Sequence, residues 1–282
     1  MQTGHCFCGA VTWSHNGSKT RNLNCHCDEC RRGVSGAFSA VIGLSAEELQ
    51  IDGPWADYKY TPESSRAFCT QCGTRMWFRS ELWPDEVFMN IGACADPAAH
   101  MPDQHVMTRG KVPWVVLDDA IPSSEGFQQS PKQDDPQTDQ TQPDGDNLTG
   151  RCLCGQVHWT TETKPIWSEH CHCDSCRRAT GAPFASFMGL RKESVSWTGE
   201  MTQYASSDGK VQRKFCSNCG THMSYEADIW PKEIHVYAAS LNDPSLYKPN
   251  GHVFSGGKLP WLSFGDGLPN YKATADGLDP TT

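Results

Sequence analysis

Short apolar segments, separated by glycine, proline or polar residues, recur along this chain. They cover residues 10–14, 37–44, 56–60, 67–78 and 87–92 in the first half, and 156–160, 184–190, 203–205, 212–225 and 233–239 in the second. β-Branched and aromatic residues are common in them, as is typical of strands, and no long stretch follows the 3.6-residue period of an amphipathic helix. The pattern predicts a mainly β protein built from short strands.

The chain also repeats itself. The sequence CHCDECRR at 25–32 recurs as CHCDSCRR at 171–178, and seven of the eight positions agree. The offset is 146 residues up to Leu190 and 147 from Cys216 onward, which indicates one inserted residue between these two positions. A period this long indicates a duplicated domain, since solenoid repeats span only about 20–50 residues. We predict two domains, 1–122 and 148–274, a flexible linker rich in Gln, Asp and Pro at 123–147, and a tail at 275–282.

Composition and charge narrow the class of protein. Of the 282 residues 37% are hydrophobic, which is enough for packed cores, and no apolar run reaches the roughly 20 residues of a membrane span. The sequence after Met1 lacks the features of a signal peptide, so we expect a soluble, cytoplasmic protein with no membrane partner. A net charge of −9 argues against nucleic acid as a partner. However, residues 125–147 hold six acids and one base, so the charges of the two domains are nearly balanced and the net charge does not exclude a small anionic ligand.

Fifteen cysteines are far more than a cytoplasmic protein normally carries. Their C-x-C and C-x2-C spacings, without an export signal, favour metal thiolates over disulfides. In each half, a C-x-C near the start and a C-x2-C some sixty residues later supply the four thiolates of a closed, structural zinc site. These ligands are Cys6, Cys8, Cys69 and Cys72 in the first half and Cys152, Cys154, Cys216 and Cys219 in the second. The glycines that follow, as in Cys8-Gly9, allow backbone N–H groups to approach the sulfur atoms.

A second set of cysteines offers only three thiolates in each half. It comprises Cys25, Cys27 and Cys30 in the first half and Cys171, Cys173 and Cys176 in the second. Three protein ligands with one open position are the arrangement of a catalytic zinc. The sequence therefore predicts one structural and one open zinc site per domain.

A fourth protein ligand at the triplets is the alternative. Cys94 is not a shared ligand, because Leu241 occupies its place in the second half. His26 lies between two cysteines and points away from them if the segment is extended. His105 and His252 are candidates for a closed site of three cysteines and one histidine, and this interpretation stays open.

The order of these motifs resembles that of a known family. Both halves contain G-x-C-x-C-G, C-H-C-x2-C, F-C-x2-C-G-T and then a histidine followed by Pro-Trp, as at Pro113-Trp114. This order is similar to the glutathione-dependent formaldehyde-activating family, also called the centromere protein V/Gfa domain. The resemblance implies an Mss4-like, or β-tent, fold of coiled short β-sheets in each domain. It also implies a structural four-cysteine zinc and a more labile three-cysteine zinc where glutathione chemistry takes place, and both halves retain every cysteine of the pattern.

The expected function follows from the open site. A thiol that binds a zinc ion loses its proton and becomes a nucleophile. Its attack on an aldehyde forms a carbon–sulfur bond, and the reverse reaction cleaves that bond. We therefore expect a zinc-dependent carbon–sulfur lyase that acts on thiol adducts, with glutathione or a similar thiol as co-substrate; S-(hydroxymethyl)glutathione is the example that the family provides.

The sequence offers candidate residues for contact with the substrate and leaves alternative functions open. Candidate groups beside the triplets are Arg31, Arg32, Arg177 and Arg178, which could bind carboxylates, and His105 and His252, which could move a proton. The alternatives to an enzyme are a non-catalytic zinc module that binds a protein partner and a thiol or metal sensor. The duplication is also compatible with an internal pseudo-dimer of the two domains.

Overall fold

A computed structural model describes residues 1–127, 147–275 and 277. Most of the predicted linker and of the predicted tail lies outside these residues, so their boundaries stay predictions. The first half, as described, contains β1 Gln2–His5, β2 Thr12–His15, β3 Arg21–Cys25, α1 Asp28–Gly33, β4 Ser39–Ser45, β5 Leu49–Asp52, β6 Trp55–Thr61, β7 Ser64–Cys69, β8 Arg75–Ser80, β9 Glu86–Asn90 and β10 Gln104–Val106. The second half contains β11 Leu148–Arg151, β12 His158–Thr161, β13 Trp167–Cys171, α2 Asp174–Thr180, β14 Ala185–Arg191, β15 Ser196–Thr198, β16 Met201–Ser206, β17 Val211–Cys216, β18 His222–Ala227, β19 Glu233–Tyr237 and β20 Gly251–Val253. The prediction of a mainly β protein is confirmed.

The two halves have the same sheet topology. Each contains a three-stranded sheet, β1-β2-β5 in the first half and β11-β12-β15 in the second. Each also contains a seven-stranded sheet, in the order β10-β3-β4-β9-β8-β7-β6 and, in the second half, β20-β13-β14-β19-β18-β17-β16. In both large sheets the strand at one edge, β10 or β20, runs parallel to its neighbour, and the other pairs are antiparallel. The repeat in the sequence is therefore a repeat of the whole domain topology.

The inserted residue of the second half lies in a hairpin turn. Tyr58 pairs with Arg66 across β6 and β7, and Tyr204 pairs with Arg213 across β16 and β17. The tyrosines are offset by 146 residues and the arginines by 147, so the extra residue falls in the turn between β16 and β17. That turn contains Ser207 in the left-handed region, at a φ of 52°. An insertion at a hairpin tip leaves the strand register on both sides intact.

Not every predicted segment is one strand. The apolar segment 67–78 contains two strands, β7 and β8, because the C-x2-C pair forms a turn between them. The apolar pattern did not predict strands β3 and β10, because Arg21–Cys25 and Gln104–Val106 contain polar residues. Some of these polar residues are buried, for example Asn24. A hydrophobic pattern does not reveal strands whose buried positions include polar side chains.

The halves pack tightly against each other. One continuous hydrophobic cluster contains buried residues from both, including Trp77 of the first half and Trp159 of the second. The ring of Trp114 lies 4.9 Å from that of Tyr247 in the second half, and Trp261 donates from Nε1 to the carbonyl of Pro97 in the first, at 3.1 Å. No helix in the described part of the chain has the length and apolar character needed to cross a membrane.

Candidate metal centres and their cavities

The predicted four-cysteine sets form two compact clusters. In each, the sulfur atoms all lie within 4.8 Å of one another. The Cys6 and Cys8 sulfurs are 3.4 Å apart, and those of Cys8 and Cys69 are 3.7 Å apart. Tetrahedral ligation with Zn–S bonds of about 2.3 Å places the sulfurs about 3.8 Å from each other. The clusters therefore have the composition and spacing that a zinc ion requires, and all fifteen cysteines are free of disulfides.

Backbone and hydroxyl groups orient these sulfur atoms. The Val11 N–H donates to the Cys6 sulfur at 3.2 Å, and the hydroxyl of Thr74 lies 3.3 Å from the Cys72 sulfur. Gly9 and Gly73 adopt φ values of 79° and 76°, which other residues rarely do, so the tight turns at the cysteines require glycine. The same features recur in the second half, and such hydrogen bonds stabilise thiolate ligands.

The three-cysteine clusters lie where a strand meets a short helix. Cys25 ends β3, Cys27 is the N-cap of α1, and Cys30 lies in the first turn of that helix. The Cys27 sulfur accepts from the N–H of Cys30 at 3.4 Å and lies 3.7 Å from the Cys25 sulfur. Cys171, Cys173 and Cys176 repeat this arrangement, with 3.5 Å between the first two sulfurs. The strand-to-helix turn is what brings three sulfurs to one point within six residues.

No histidine completes either triplet among the described residues, because each cluster within 4.8 Å consists of the three cysteines alone. His105 instead lies behind the cysteine segment, where its Nδ1 is 2.9 Å from Nε2 of His26 and its Nε2 is 3.2 Å from Asp119. If Asp119 accepts from His105, then His105 Nδ1 accepts from His26. Burial lowers the pKa of His26 to about 3. It also lowers the pKa of His105, where Asp119 opposes the effect, so burial favours the neutral form of both rings.

The second half repeats this chain of hydrogen bonds. His172 lies 2.9 Å from His252, whose Nε2 lies 3.0 Å from Asp266. Neither His105 nor His252 lines the cavity in front of its cysteines. The two histidine pairs therefore fix the segment that carries the cysteines, and their predicted role in proton transfer stays a prediction. Cys94 is fully buried, with its sulfur 3.7 Å from the Asn90 carbonyl, and belongs to neither kind of cluster.

Each triplet opens onto a cavity. The first, of about 790 Å³, is lined by Cys25, Cys27 and Cys30, and the second, of about 450 Å³, by Cys171, Cys173 and Cys176. Both volumes are within the usual range for small-molecule sites, about 300–1,000 Å³. None of the eight cysteines of the four-cysteine clusters lines either cavity. The two kinds of cluster thus differ in access as well as in ligand number.

A buried arginine lies in the wall of each cavity. Arg66 is 7% exposed, and its Nη2 lies 3.8 Å from the Cys30 sulfur. Burial alone would lower the pKa of Arg66, but the neighbouring Cys30 and Cys27 sulfurs raise it above its usual value. Among the described residues no protein atom accepts from Nη1 of Arg66 or from Nε of Arg213, its counterpart in the second cavity. Each cavity therefore has a fixed positive charge with a free N–H donor.

The arginines that the sequence suggested as anchors lie elsewhere. Arg31 donates to the carbonyl of Ala239, and Arg32 donates to those of Ser240 and Leu241, all in the other half. Arg177 donates to the Gly257 carbonyl, and Arg178 lies 3.4 Å from the carbonyl of Cys94. None of the four lines either of the two cavities described above. Their placement is that of structural groups, mostly between the halves, and does not fit the expected contact with a substrate carboxylate.

Sequence reasoning missed Arg66 and Arg213, although a signal was present. Both belong to an R-x-F-C pattern that the two halves share immediately before the C-x2-C turn. The arginine lies on β7 or β17, more than 35 residues from the triplet it faces, so only the sheet brings them together. The charged positions that the two halves share include this arginine, so the repeat itself indicates Arg66 and Arg213 as candidates.

Several known proteins are similar to parts of this chain. A family sequence profile described as "Glutathione-dependent formaldehyde-activating enzyme" matches residues 1–110 and 147–257. An uncharacterized lyase of Schizosaccharomyces pombe is 33% identical over 107 residues, which cover 38% of this chain and 68% of that protein. A provisionally named glutathione-dependent formaldehyde-activating enzyme of Halomonas elongata is 26% identical over 125 residues, or 41% of this chain and 80% of that protein. A crystal structure of a Rhodobacter sphaeroides protein has 26% sequence identity and a TM-score of 0.30, and covers 33% of this chain and 86% of that one.

Proposed function

Since the chain belongs to the glutathione-dependent formaldehyde-activating enzyme family, in two tandem copies, we propose that it is a lyase that forms or cleaves the carbon–sulfur bond of glutathione-type thiol adducts. The relative from Schizosaccharomyces pombe carries the name of a lyase, which supports the reaction class. Each triplet would hold one zinc ion, and the four-cysteine clusters would hold two more that stabilise the fold. A bound zinc would supply an open coordination position that favours the thiolate form of the substrate.

The reaction itself needs few groups. In the forward direction the substrate sulfur bonds to the carbonyl carbon of an aldehyde, the carbonyl π electrons move to oxygen, and that oxygen takes up the proton that the thiol released. In the reverse direction the carbon–sulfur bond breaks and the proton returns to sulfur. No oxidant or water is consumed. The task of the chain is therefore to bind the thiol, orient it and limit the access of solvent.

Arg66 and Arg213 are the groups that would orient the substrate. Glutathione has two carboxylates, and an arginine pairs with a carboxylate through two parallel hydrogen bonds. Both guanidinium groups are buried, so their charge is weakly screened within the cavity. An ion pair there fixes one end of the ligand while the thiol meets the cysteine cluster beside it.

The observation that carries this proposal is the pairing of an open triplet with a buried, incompletely bonded arginine in both cavities. A purely structural metal site has no need of a cavity or of a free charge beside it. The four-cysteine clusters lie away from the cavities, whereas the triplets line them. This contrast favours an enzyme over a zinc module that only binds a partner. We also propose that the packed halves form an internal pseudo-dimer.

The test is exchange of 13C-formaldehyde with S-(hydroxymethyl)glutathione, followed by NMR on the zinc-loaded full chain. The protein should raise the exchange rate above the uncatalysed rate, and the double variant Cys27→Ser, Cys173→Ser should not. Arg66→Met with Arg213→Met should weaken glutathione binding about 10- to 100-fold, because a hydrogen bond to a charged group contributes about 1.5–3 kcal/mol. Use of 2-mercaptoethanol, which has no carboxylate, should show no such loss. An exchange rate that survives the cysteine double variant would refute the proposal.

A further inference from the structure

The arginine of the first cavity lies next to two aromatic rings of its own half. The Arg66 guanidinium carbon is 5.3 Å from the ring centre of Tyr60 and 5.0 Å from that of Phe78. Tyr60 is itself held, because its hydroxyl donates to Glu29 at 3.1 Å. Two neighbouring rings restrict the movement of a guanidinium group and add a cation–π attraction. The first half thus positions its arginine without help from the second.

The second half lacks one of these rings. Tyr225 takes the place of Phe78, with its ring centre 5.0 Å from the Arg213 guanidinium carbon. In the second half, the hairpin equivalent to the one that carries Tyr60 has Ser206 and Ser207 at this point. The hydroxyl of Ser206 accepts a hydrogen bond from Arg213 at 2.8 Å. A serine hydroxyl binds one N–H group but gives no ring against which the guanidinium plane can lie. With its own residues alone, the second half would provide Arg213 with one neighbouring ring instead of two.

Phe7, from the other half of the chain, fills that place. Its ring centre lies 4.7 Å from the Arg213 guanidinium carbon, and it lines the second cavity together with the cysteine triplet. Phe7 is itself fixed, since its N–H donates to Thr74 at 3.0 Å and its ring meets that of Tyr204 edge-on at 5.7 Å. The second ligand site is therefore built from both halves.

The arrangement is not reciprocal. The residue of the second half that corresponds to Phe7 is Leu153, which makes the same backbone contact through its N–H, to Thr221 at 3.2 Å. Leu153 is 4% exposed and packs in the core near Gly33, and it does not line the first cavity. A leucine has no ring to lie on a guanidinium group. The duplicated sequence thus carries phenylalanine only where the facing cavity lacks its own ring.

We propose that Phe7 is a specificity-determining residue of the second cavity, where it holds Arg213 in the plane that receives a ligand carboxylate. The inference rests on the proposed function of that cavity and adds a cross-domain requirement to it. Without the ring of Phe7, Arg213 can turn and water can enter beside it. The preference of the second site for carboxylated thiols over uncharged ones should then decrease, while the first site is unaffected.

The experiment compares Phe7→Leu with wild type in the full, zinc-loaded chain. This substitution introduces the residue that the second half carries naturally at the equivalent position, Leu153, so the four-cysteine cluster around it should still form. Glutathione binding is measured by calorimetry in the Cys27→Ser background, where only the second triplet is complete, and in the Cys173→Ser background, where only the first is. Phe7→Tyr, which keeps a ring, is the conservative control, and zinc content per chain confirms that the clusters are intact.

We expect Phe7→Leu to weaken glutathione binding about 5- to 30-fold in the Cys27→Ser background, the range for loss of one largely buried cation–π contact. Binding of 2-mercaptoethanol should not change, binding in the Cys173→Ser background should not change, and Phe7→Tyr should bind like wild type. Equal affinity of Phe7→Leu and wild type, or equal losses for both thiols, would overturn the inference and leave the proposed function standing. Absence of glutathione binding in both backgrounds would instead refute the proposed function, and the ligand role of Phe7 with it.

Discussion

The substitution Arg32→Met separates the structural arginines from those that bind ligand. Arg32 is 2% exposed and donates to three backbone carbonyls of the second half: those of Arg151 at 2.9 Å, Ser240 at 2.7 Å and Leu241 at 3.0 Å. It also donates to Asp28 at 2.8 Å. Burial lowers the pKa of Arg32 to about 10, so the group remains charged at neutral pH.

The expected loss of stability is large. Methionine fills much of the same volume but leaves three buried carbonyl groups without this donor and Asp28 with one ion-pair partner fewer. Breaking a buried pair from one side costs about 3–5 kcal/mol, so we expect a loss of this size in the free energy of unfolding. The matched control is Arg178→Met at the equivalent position. Its contacts with the Cys94 carbonyl and with Asp174 are longer, 3.4 and 3.5 Å, and Asp174 is mostly exposed, so about 0–1 kcal/mol is expected.

Urea unfolding followed by tryptophan fluorescence measures the stability of both variants, and calorimetry measures glutathione binding below the unfolding transition. We expect Arg32→Met to lower the urea midpoint strongly, Arg178→Met to lower it little, and neither to change glutathione affinity. A loss of affinity in Arg32→Met with an unchanged midpoint would refute this reasoning and restore Arg32 as a substrate anchor. Equal losses of stability in both variants would show that the hydrogen bonds of Arg32 to the second half do not determine the loss of stability.

Three further predictions test the packing and the pH dependence. Burial lowers the pKa of His222 to about 4 from its usual 6.5, so on acidification the unfolded chain takes up the proton first, and stability is lost as the pH falls from about 6.5 towards 4. His222→Phe should therefore retain about 2 kcal/mol more of its free energy of unfolding than wild type does between pH 7 and pH 5, as measured by urea unfolding. Equal losses in both proteins would contradict this prediction. A Cβ at Gly92 would collide with backbone atoms of Arg177 and Gly181 in the other half, so Gly92→Ala should cost about 1–3 kcal/mol and lower the melting temperature, whereas Gly126→Ala, with open space around it, should not. Burial raises the pKa of the Cys94 thiol to about 12, so Cys94 should resist alkylation until the chain unfolds. Cys94→Ala should keep the zinc content of wild type. Rapid alkylation of Cys94 in the native protein, measured by mass spectrometry, would contradict its burial.

The cysteine clusters were the most predictable part of the molecule. Metal ligands must lie within a few ångströms of one another, so the repeated spacing of C-x-C, C-x2-C and C-x-C-x2-C indicates which residues meet even though Cys8 and Cys69 are 61 residues apart. The apolar segments located many of the strands for a similar reason, because one face of each must be buried. Strands such as β3, in which Asn24 is buried, gave no such signal.

The packing between the halves was not predictable from one sequence. Arg32 and the carbonyl of Leu241 are 209 residues apart, and backbone carbonyls as acceptors leave no trace in the side-chain pattern. An arginine next to a cysteine triplet therefore looked like a substrate anchor although it bonds to the other domain. Phe7 carried no signal for the same reason, since its partner Arg213 belongs to a sheet of the other half.

Zinc stoichiometry by elemental analysis tests the central claim, that each domain combines a closed metal site with an open, thiol-reactive one. The as-purified chain should hold four zinc ions, one for each cysteine cluster, and this number should fall towards two after excess glutathione and desalting. The double variant Cys27→Ala, Cys173→Ala should hold two from the start and lose none to glutathione. Four zinc ions that are indifferent to thiol would contradict the account, because they would require a fourth protein ligand at each triplet.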